Sequence, residues 1–222
     1  MFRTFGILYV ALILFGGVAS AAESDITTAE FRQIYTSLLA GKTLVSTREE
    51  DGVTITKART FSQPTHSNNG DFDIITTTVI TKTKAGAQVQ KVTVNILDRV
   101  SSIGGKPIIY EEARNMVVEE EGAEPRTTEE GEFIGLFRAS KNNKGGFDVH
   151  NFGLIPSADV DGDSSSIAGS NLSFSCYPVE GVAECALTIR DYRLGGYDPL
   201  VGYQLLEPID DDFVETSREV GN

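Results

Sequence analysis

Three aspartates at alternate positions, in the segment Asp159-Val160-Asp161-Gly162-Asp163, are the residues whose type and spacing best fit a chemical role. Carboxylates spaced in this way can converge on one hard cation such as calcium. An EF-hand loop would also need Gly at its sixth position and Glu at its twelfth, where this chain has Ser164 and Ser170. The same residues are also typical of a tight turn, since Asp accepts hydrogen bonds from nearby backbone N–H groups. We therefore expect either a polar turn or a calcium loop of another type, with calcium as the one suggested cofactor, held by Asp159, Asp161 and Asp163.

The only two cysteines have a spacing that predicts a disulfide. If Glu180-Gly181 is a two-residue turn, Cys176 lies opposite Cys185 in an antiparallel hairpin. That register places apolar side chains on one face and polar side chains on the other. It also makes the cysteines a non-hydrogen-bonded pair, where the Cα atoms approach most closely. In an exported protein such a pair is expected to be oxidised.

Catalytic motifs are few. His66 and His150 are the only imidazoles, and neither stands in a zinc-binding pattern. The segment Ala40-Gly41-Lys42-Thr43 resembles the end of a phosphate-binding loop, but it follows a predicted helix instead of preceding one. No GxSxG motif is present. We therefore expect a protein without enzymatic activity. A carboxylate-based hydrolase is the enzymatic alternative, because acidic residues are abundant and their pairing depends on the tertiary structure.

Three tyrosines near the C-terminus lie among aliphatic residues, around Gly195-Gly196 and Pro199. Tyrosine has an apolar body with one polar tip, which suits the mouth of a ligand pocket. The same residues would also suit a last strand that closes the core. In the pocket interpretation they contact a ligand together with three apolar residues of the N-terminal helix, and the full set is Phe31, Ile34, Leu38, Tyr192, Tyr197 and Tyr203.

One amphipathic helix is predicted over residues 28–40. Thr27-Thr28-Ala29-Glu30 is a capping box, in which the side chains of Thr and Glu satisfy free backbone N–H groups. Apolar residues then recur at helical spacing, and Gly41 stands where a left-handed residue commonly ends a helix. The apolar stripe consists of Phe31, Ile34, Tyr35, Leu38 and Leu39.

After Gly41 the hydrophobic period changes from 3.6 to 2, and short Thr-, Val- and Ile-rich runs alternate with turn residues. A second hairpin is predicted around Ala85-Gly86, with Ile75 opposite Ile96. Successive strands joined by short turns form an antiparallel meander, which must close or stack to protect its edges. The sequence therefore predicts a mainly β protein, a barrel or half-barrel with the helix packed on it. A β-sandwich is the alternative.

The chain of 222 residues carries a formal charge of −13, distributed unevenly. Residues 22–110 hold ten basic and nine acidic side chains, whereas residues 111–222 hold eight basic and 23 acidic side chains. Such a chain repels phosphate backbones, so nucleic acid is not an expected partner. Two acidic segments are expected to lie outside the core, an exposed loop over residues 119–131 and a tail over residues 210–222.

Residues 1–21 have the features of a signal peptide. Arg3 precedes an apolar stretch of about 14 residues, too short for a membrane span, and Ala19-Ser20-Ala21 fits a signal-peptidase site. The mature chain is then a single β-rich domain over residues 22–222, without a membrane span, exported to the periplasm or the extracellular space.

Three functions are compatible with these features. The first is a non-enzymatic exported binding protein that holds an apolar or amphipathic small ligand in a barrel-like interior. The second is a structural or interaction module of the cell envelope or extracellular matrix, with another protein as partner and a calcium dependence through the aspartate run. The third is the hydrolase.

Overall fold

The computed structural model describes residues 25–66, 71–131, 136–156, 167–198, 202–208 and 213–220. Within these ranges one helix is followed by 13 strands. The helix α1 spans Thr28–Leu38. The strands are β1 Thr43–Glu50, β2 Val53–Phe61, β3 Thr65–His66, β4 Phe72–Lys84, β5 Ala87–Ile103, β6 Lys106–Glu120, β7 Arg126–Gly131, β8 Leu136–Lys141, β9 Phe147–Pro156, β10 Ile167–Val179, β11 Val182–Asp198, β12 Gly202–Pro208 and β13 Phe213–Glu219.

Ten of the described strands form a closed antiparallel barrel, as the sequence predicted in its first alternative. Neighbours around the barrel run β1, β2, β4, β5, β6, β8, β9, β10, β11 and β13, and β13 pairs back with β1. The other three strands lie outside this ring, and each pairs with one barrel strand: β3 with β4, β7 with β6 and β12 with β11. Each of the ten barrel strands pairs with a neighbour on both sides over at least part of its length, which limits the exposed edge that an open sheet would present.

Helix α1 packs against one end of the barrel. Its predicted capping box is present, with the Thr27 hydroxyl accepting from the Glu30 backbone N–H and the Glu30 carboxylate accepting from Thr27. The helix ends at Leu38, two residues before the predicted end, and Gly41 adopts the expected left-handed conformation with a φ of 76°. The buried apolar face of the helix consists of Phe31, Tyr35 and Leu38.

The hydrophobic core lies between this helix and the adjacent half of the barrel. Phe31 contacts Phe72 and Phe147, with ring centroids 6.3 and 5.0 Å apart. The wall residues around these rings come from several strands and are almost completely buried. They are Leu44, Phe61, Phe72, Val100, Ile109, Phe147, Cys176, Ala183 and Cys185.

The predicted cysteine hairpin is confirmed in register and in chemistry. β10 and β11 are joined by the Glu180-Gly181 turn, and Cys176 pairs directly with Cys185. The two residues form a disulfide with a Cα–Cα distance of 4.2 Å. Both cysteines are fully buried in the core, so the bridge fixes the barrel wall where the helix packs. A disulfide-stabilised barrel is compatible with an exported protein.

For the second hairpin the sequence predicts the turn correctly but not the register of the strands. Ala85 and Gly86 both have positive φ, as a tight turn between strands requires. A bulge in β5 then shifts the pairing by one residue, so that Ile75 lies opposite Leu97 instead of Ile96. As a result, Ile75 points outward and is 47% exposed. A one-residue shift moves side chains to the other face of a strand, which is why the prediction for Ile75 failed.

Both acidic segments contain strands that the sequence did not predict. Residues 119–131 are not a loop: β6 continues to Glu120, and β7 returns along it from Arg126 after a short exposed turn. In the segment 210–222, residues 213–219 form β13, which pairs with β1 and β11 and closes the barrel. Charged residues are compatible with both strands because an antiparallel strand can expose one face to water.

Among the described residues, no helix is long and apolar enough to cross a membrane. The predicted signal peptide, residues 1–21, lies outside the described residues.

Candidate functional site

The burial pattern of β4 shows where the barrel interior is filled and where it is accessible. From Phe72 to Thr78 every second side chain is buried, which identifies these residues as the inner face. The same alternation continues inward with Ile80 and Lys82, but these two side chains are only half-buried. The half of the interior next to the helix is therefore packed, whereas the half beyond Thr78 remains accessible to solvent.

Aliphatic side chains line the accessible half. Directly paired residues of an antiparallel sheet share a face, so the inner face can be followed from β4 into β5 and β6. Ile80 pairs with Val92 and Thr78 with Val94, and the inner row continues on β6. These inward-facing residues are half-buried: Ile80, Val92, Val94, Ile96, Met116 and Val118.

A group of charged residues lies on the inner face of β2 and β13. Lys57 donates a hydrogen bond to the Glu215 carboxylate, and both side chains are largely shielded from water. Arg59 follows on β2, where it pairs with inward-facing Thr78. Its guanidinium lies 5.4 Å from the ring centre of Phe174 on β10. Because β1, β13 and β11 separate β2 from β10 around the barrel, Arg59 reaches across the interior.

A second group of ionisable residues lies on β5 and β6. Asp98 faces inward opposite Glu111, and Glu111 accepts two hydrogen bonds from Arg114, at 2.7 and 2.9 Å. Burial raises the pKa of Asp98 to about 7; the charge of Glu111 raises it further and that of Arg114 opposes the rise. Burial, with the nearby charge of Asp98, also raises the pKa of Tyr35, whose hydroxyl donates to the Ser62 carbonyl. Strongly shifted pKa values are typical of functional sites, although buried structural groups show them too.

Asp98→Asn is expected to stabilise the protein in a pH-dependent way. The pKa of Asp98 is about 7 in the folded chain against an ordinary 3.8, so the folded state holds a proton that the unfolded state has lost between these values. Stability contributed by this proton is therefore lost as the pH rises towards and through 7. The gain in unfolding free energy from Asp98→Asn should be roughly 2 kcal/mol larger at pH 8 than at pH 5.

Urea unfolding of both proteins at the two pH values checks this expectation. Asp51→Asn, the same change in the exposed turn between β1 and β2, is the control and should alter stability little at either pH. A gain for Asp98→Asn that is equal at pH 5 and pH 8, or a loss at pH 8, would contradict a buried carboxyl with a raised pKa.

The barrel wall has a gap between β1 and β13. These strands pair only at Leu44–Glu219 and Val45–Arg218, next to the helix end. No pairing joins the described residues 46–50 and 213–217 across this seam. A cavity of about 130 Å³ lies there, with Ile55, Lys57 and Glu215 among its lining residues. The gap thus reaches the charged group on the inner face of β2 and β13.

A wider groove of about 1010 Å³ runs along the outer side of α1. It is bordered by polar residues of the helix and by the loops around Gln63 and Gly105. Residues 67–70, next in the chain after β3, lie outside the described residues. The groove is broad and shallow, whereas ligand sites are usually concave and enclosed, so we regard the barrel interior as the better candidate.

The predicted ligand-contacting residues fall into two sets. Phe31 and Leu38 are buried in the core and Ile34 is partly buried against it. Tyr197 pairs with Tyr203, and Tyr192 with Pro208, along β11 and β12, but the side chains of these tyrosines lie outside what the structure describes. A ligand contact by any of the six residues therefore stays a prediction.

The predicted calcium loop, Asp159, Asp161 and Asp163, lies outside the described residues and also stays a prediction. Within the described ranges, no group of three or more His, Cys, Asp or Glu side chains is arranged to hold a metal ion.

The charged residues of the interior were missed at the sequence level, although a signal exists. Lys57 and Arg59 stand in phase with Ile55 and Phe61 on the apolar face of β2. Asp98 likewise stands in phase with Ile96 and Val100 on β5. A charged residue that stands in phase with the apolar residues of a strand predicts an ionisable group inside the barrel. Burying a charge costs free energy, so such a residue indicates a specific role.

Comparison with known proteins gave no match to a family model, a curated protein or a solved structure.

Proposed function

We propose that this protein is an exported binding protein that holds an apolar or amphipathic small ligand in the open half of its barrel. The observation that carries the proposal is the row of inward-facing aliphatic side chains on β4, β5 and β6 that are only half-buried beyond Thr78. Apolar surface left in contact with water inside a concave site is stabilised when a ligand covers it, since each buried CH₂ group contributes about 0.8 kcal/mol. A disulfide near the filled end supports export, and the packed core supplies a rigid floor for the site.

Native mass spectrometry and calorimetric titration with 1-decanol test the proposal on the mature chain, purified from an exporting host without detergent. We expect saturable binding of one decanol molecule per chain and an increase in thermal stability with decanol concentration, because a ligand that binds only the folded state stabilises it. A chain that neither carries a bound small molecule nor binds decanol would overturn the proposal.

A pair of variants locates the binding site. Val92→Trp fills the accessible interior, because Val92 faces inward between Ile80 and Val118. We expect it to weaken decanol binding by roughly tenfold or more, since the ligand and the new ring compete for the same space. Thr93→Trp introduces the same ring at the next residue, on the outer face, and should leave the affinity unchanged. Equal effects of the two variants would exclude the interior as the site.

A further inference from the structure

Arg59 is a charged residue of the interior whose N–H donors make no hydrogen bond to the residues that the structure describes. Its guanidinium has five N–H donors and lies over the ring of Phe174. Among the described residues it makes no ion pair within 4 Å and no hydrogen bond, whereas Lys57 is bonded to Glu215 and Arg114 to Glu111. A cation–π contact with the ring favours this position of the guanidinium and requires no conventional hydrogen bond from its N–H groups, which can therefore bind another group.

The charge of Arg59 is only partly compensated. Burial lowers the pKa of Arg59, and the charge of Glu215 opposes this effect. Glu215, however, already bonds to Lys57, so the three side chains together carry a net positive charge. The net positive charge of these three side chains contrasts with the formal charge of −13 on the whole chain. A chain with that overall charge has no general tendency to attract anions. A local positive charge at an interior position therefore points to a specific anionic group.

The position of Arg59 relative to the aliphatic row defines how such a group would be attached. Arg59 pairs with Thr78, the last buried inward residue of β4, so it lies where the packed half of the interior meets the accessible half. Ile80 and Val92 follow immediately towards the open end. The small cavity beside Lys57 and Glu215 is on the same side of the interior. An anionic group at Arg59 thus has apolar surface directly above it.

We infer that the ligand is an anionic amphiphile whose carboxylate, or an anionic group of similar geometry, binds the Arg59 guanidinium while its apolar chain lies along Ile80, Val92 and Val94. This inference rests on the proposed function, because it names the class of ligand for that site. A planar guanidinium matches a carboxylate with two parallel hydrogen bonds, which are among the strongest polar contacts in proteins. An alcohol with the same chain length is the uncharged comparison ligand, because it makes the same apolar contacts but lacks the negative charge.

Calorimetric titration with three probes of equal chain length tests the inference: decanoate, 1-decanol and decyltrimethylammonium. The wild-type chain should bind decanoate about 10- to 100-fold more tightly than decanol, because a hydrogen-bonded charge pair adds to the same apolar contact. Decyltrimethylammonium should bind more weakly than decanol. In Arg59→Gln the affinities for decanoate and decanol should become similar, with the affinity for decanol retained.

Lys91→Gln is the matched control, because Lys91 carries the same charge and pairs with Glu119 on the outer face of β5 and β6. It should keep the wild-type preference for decanoate. Retained decanol binding also shows that Arg59→Gln is folded, and Arg59→Met serves as a second variant if the Gln variant does not fold. Equal wild-type affinities for decanoate and decanol would overturn the head-group assignment while leaving the proposed function intact. Failure of all three probes to bind would overturn the proposed function itself.

Discussion

Gly146→Ala is expected to destabilise the protein severely, by about 3–5 kcal/mol or to the point of misfolding. Gly146 ends the turn between β8 and β9 and lies against the backbone of β10. A Cβ atom at this position would lie 1.8 Å from the Cys176 carbonyl oxygen and 2.7 Å from the Tyr177 Cα. Both obstructing atoms belong to the backbone, so no side-chain rotation relieves the overlap. β9 and β10 would have to separate beside the disulfide, where Phe147 pairs with Cys176.

Gly145→Ala is a control one residue away. Gly145 has a φ of 82°, which is unfavourable for Ala, but its Cβ would meet no atom within 4 Å. We therefore expect a loss of only about 1 kcal/mol from backbone strain. Urea unfolding of the oxidised proteins, followed by circular dichroism, compares the two variants. If Gly146→Ala were no less stable than Gly145→Ala, the close packing of this turn on β10 would be wrong.

Phe31→Ala is expected to lower the free energy of unfolding by about 3–5 kcal/mol. Phe31 is 1% exposed and touches the rings of Tyr35, Phe72 and Phe147, so its removal leaves a cavity where α1 meets the barrel. The surrounding residues belong to a disulfide-bridged wall, which limits their collapse into the cavity. Loss of this contact should also weaken docking of the helix, because the helix is too short to be stable alone.

Two further variants calibrate the effect of Phe31→Ala. Phe31→Leu retains most of the apolar volume and should cost less than Phe31→Ala. Gln33→Ala lies on the exposed face of the same helix and should change stability by less than about 0.5 kcal/mol. Urea unfolding with intrinsic tyrosine fluorescence measures all three. Similar losses for Phe31→Ala and Gln33→Ala would show that α1 does not contribute its apolar face to the core.

How much of the fold follows from the sequence can be judged at the two hairpins. At Glu180-Gly181 the turn, the alternation and the two cysteines all indicate one register, and that register is observed. At Ala85-Gly86 the turn lies where the sequence predicted it, although its residues are less typical of a tight turn, and a bulge in β5 changes the pairing beyond Lys82. A bulge depends on how the strand bends around the barrel and on its second neighbour, β6, which a local pattern does not contain.

The sequence by itself determined the local features: the capping box of α1, the positions of the tight turns, the cysteine register and the mainly β architecture. These depend on contacts between residues close in the chain, where side-chain type and backbone geometry suffice. The tertiary structure alone decided that residues 213–219 close the barrel against β1, because that pairing spans most of the chain. It also decided that Arg59 from β2 meets Phe174 from β10 inside the barrel. Such distant residues come together only when the sheet curls and closes, since curvature and registers accumulate over all ten strands.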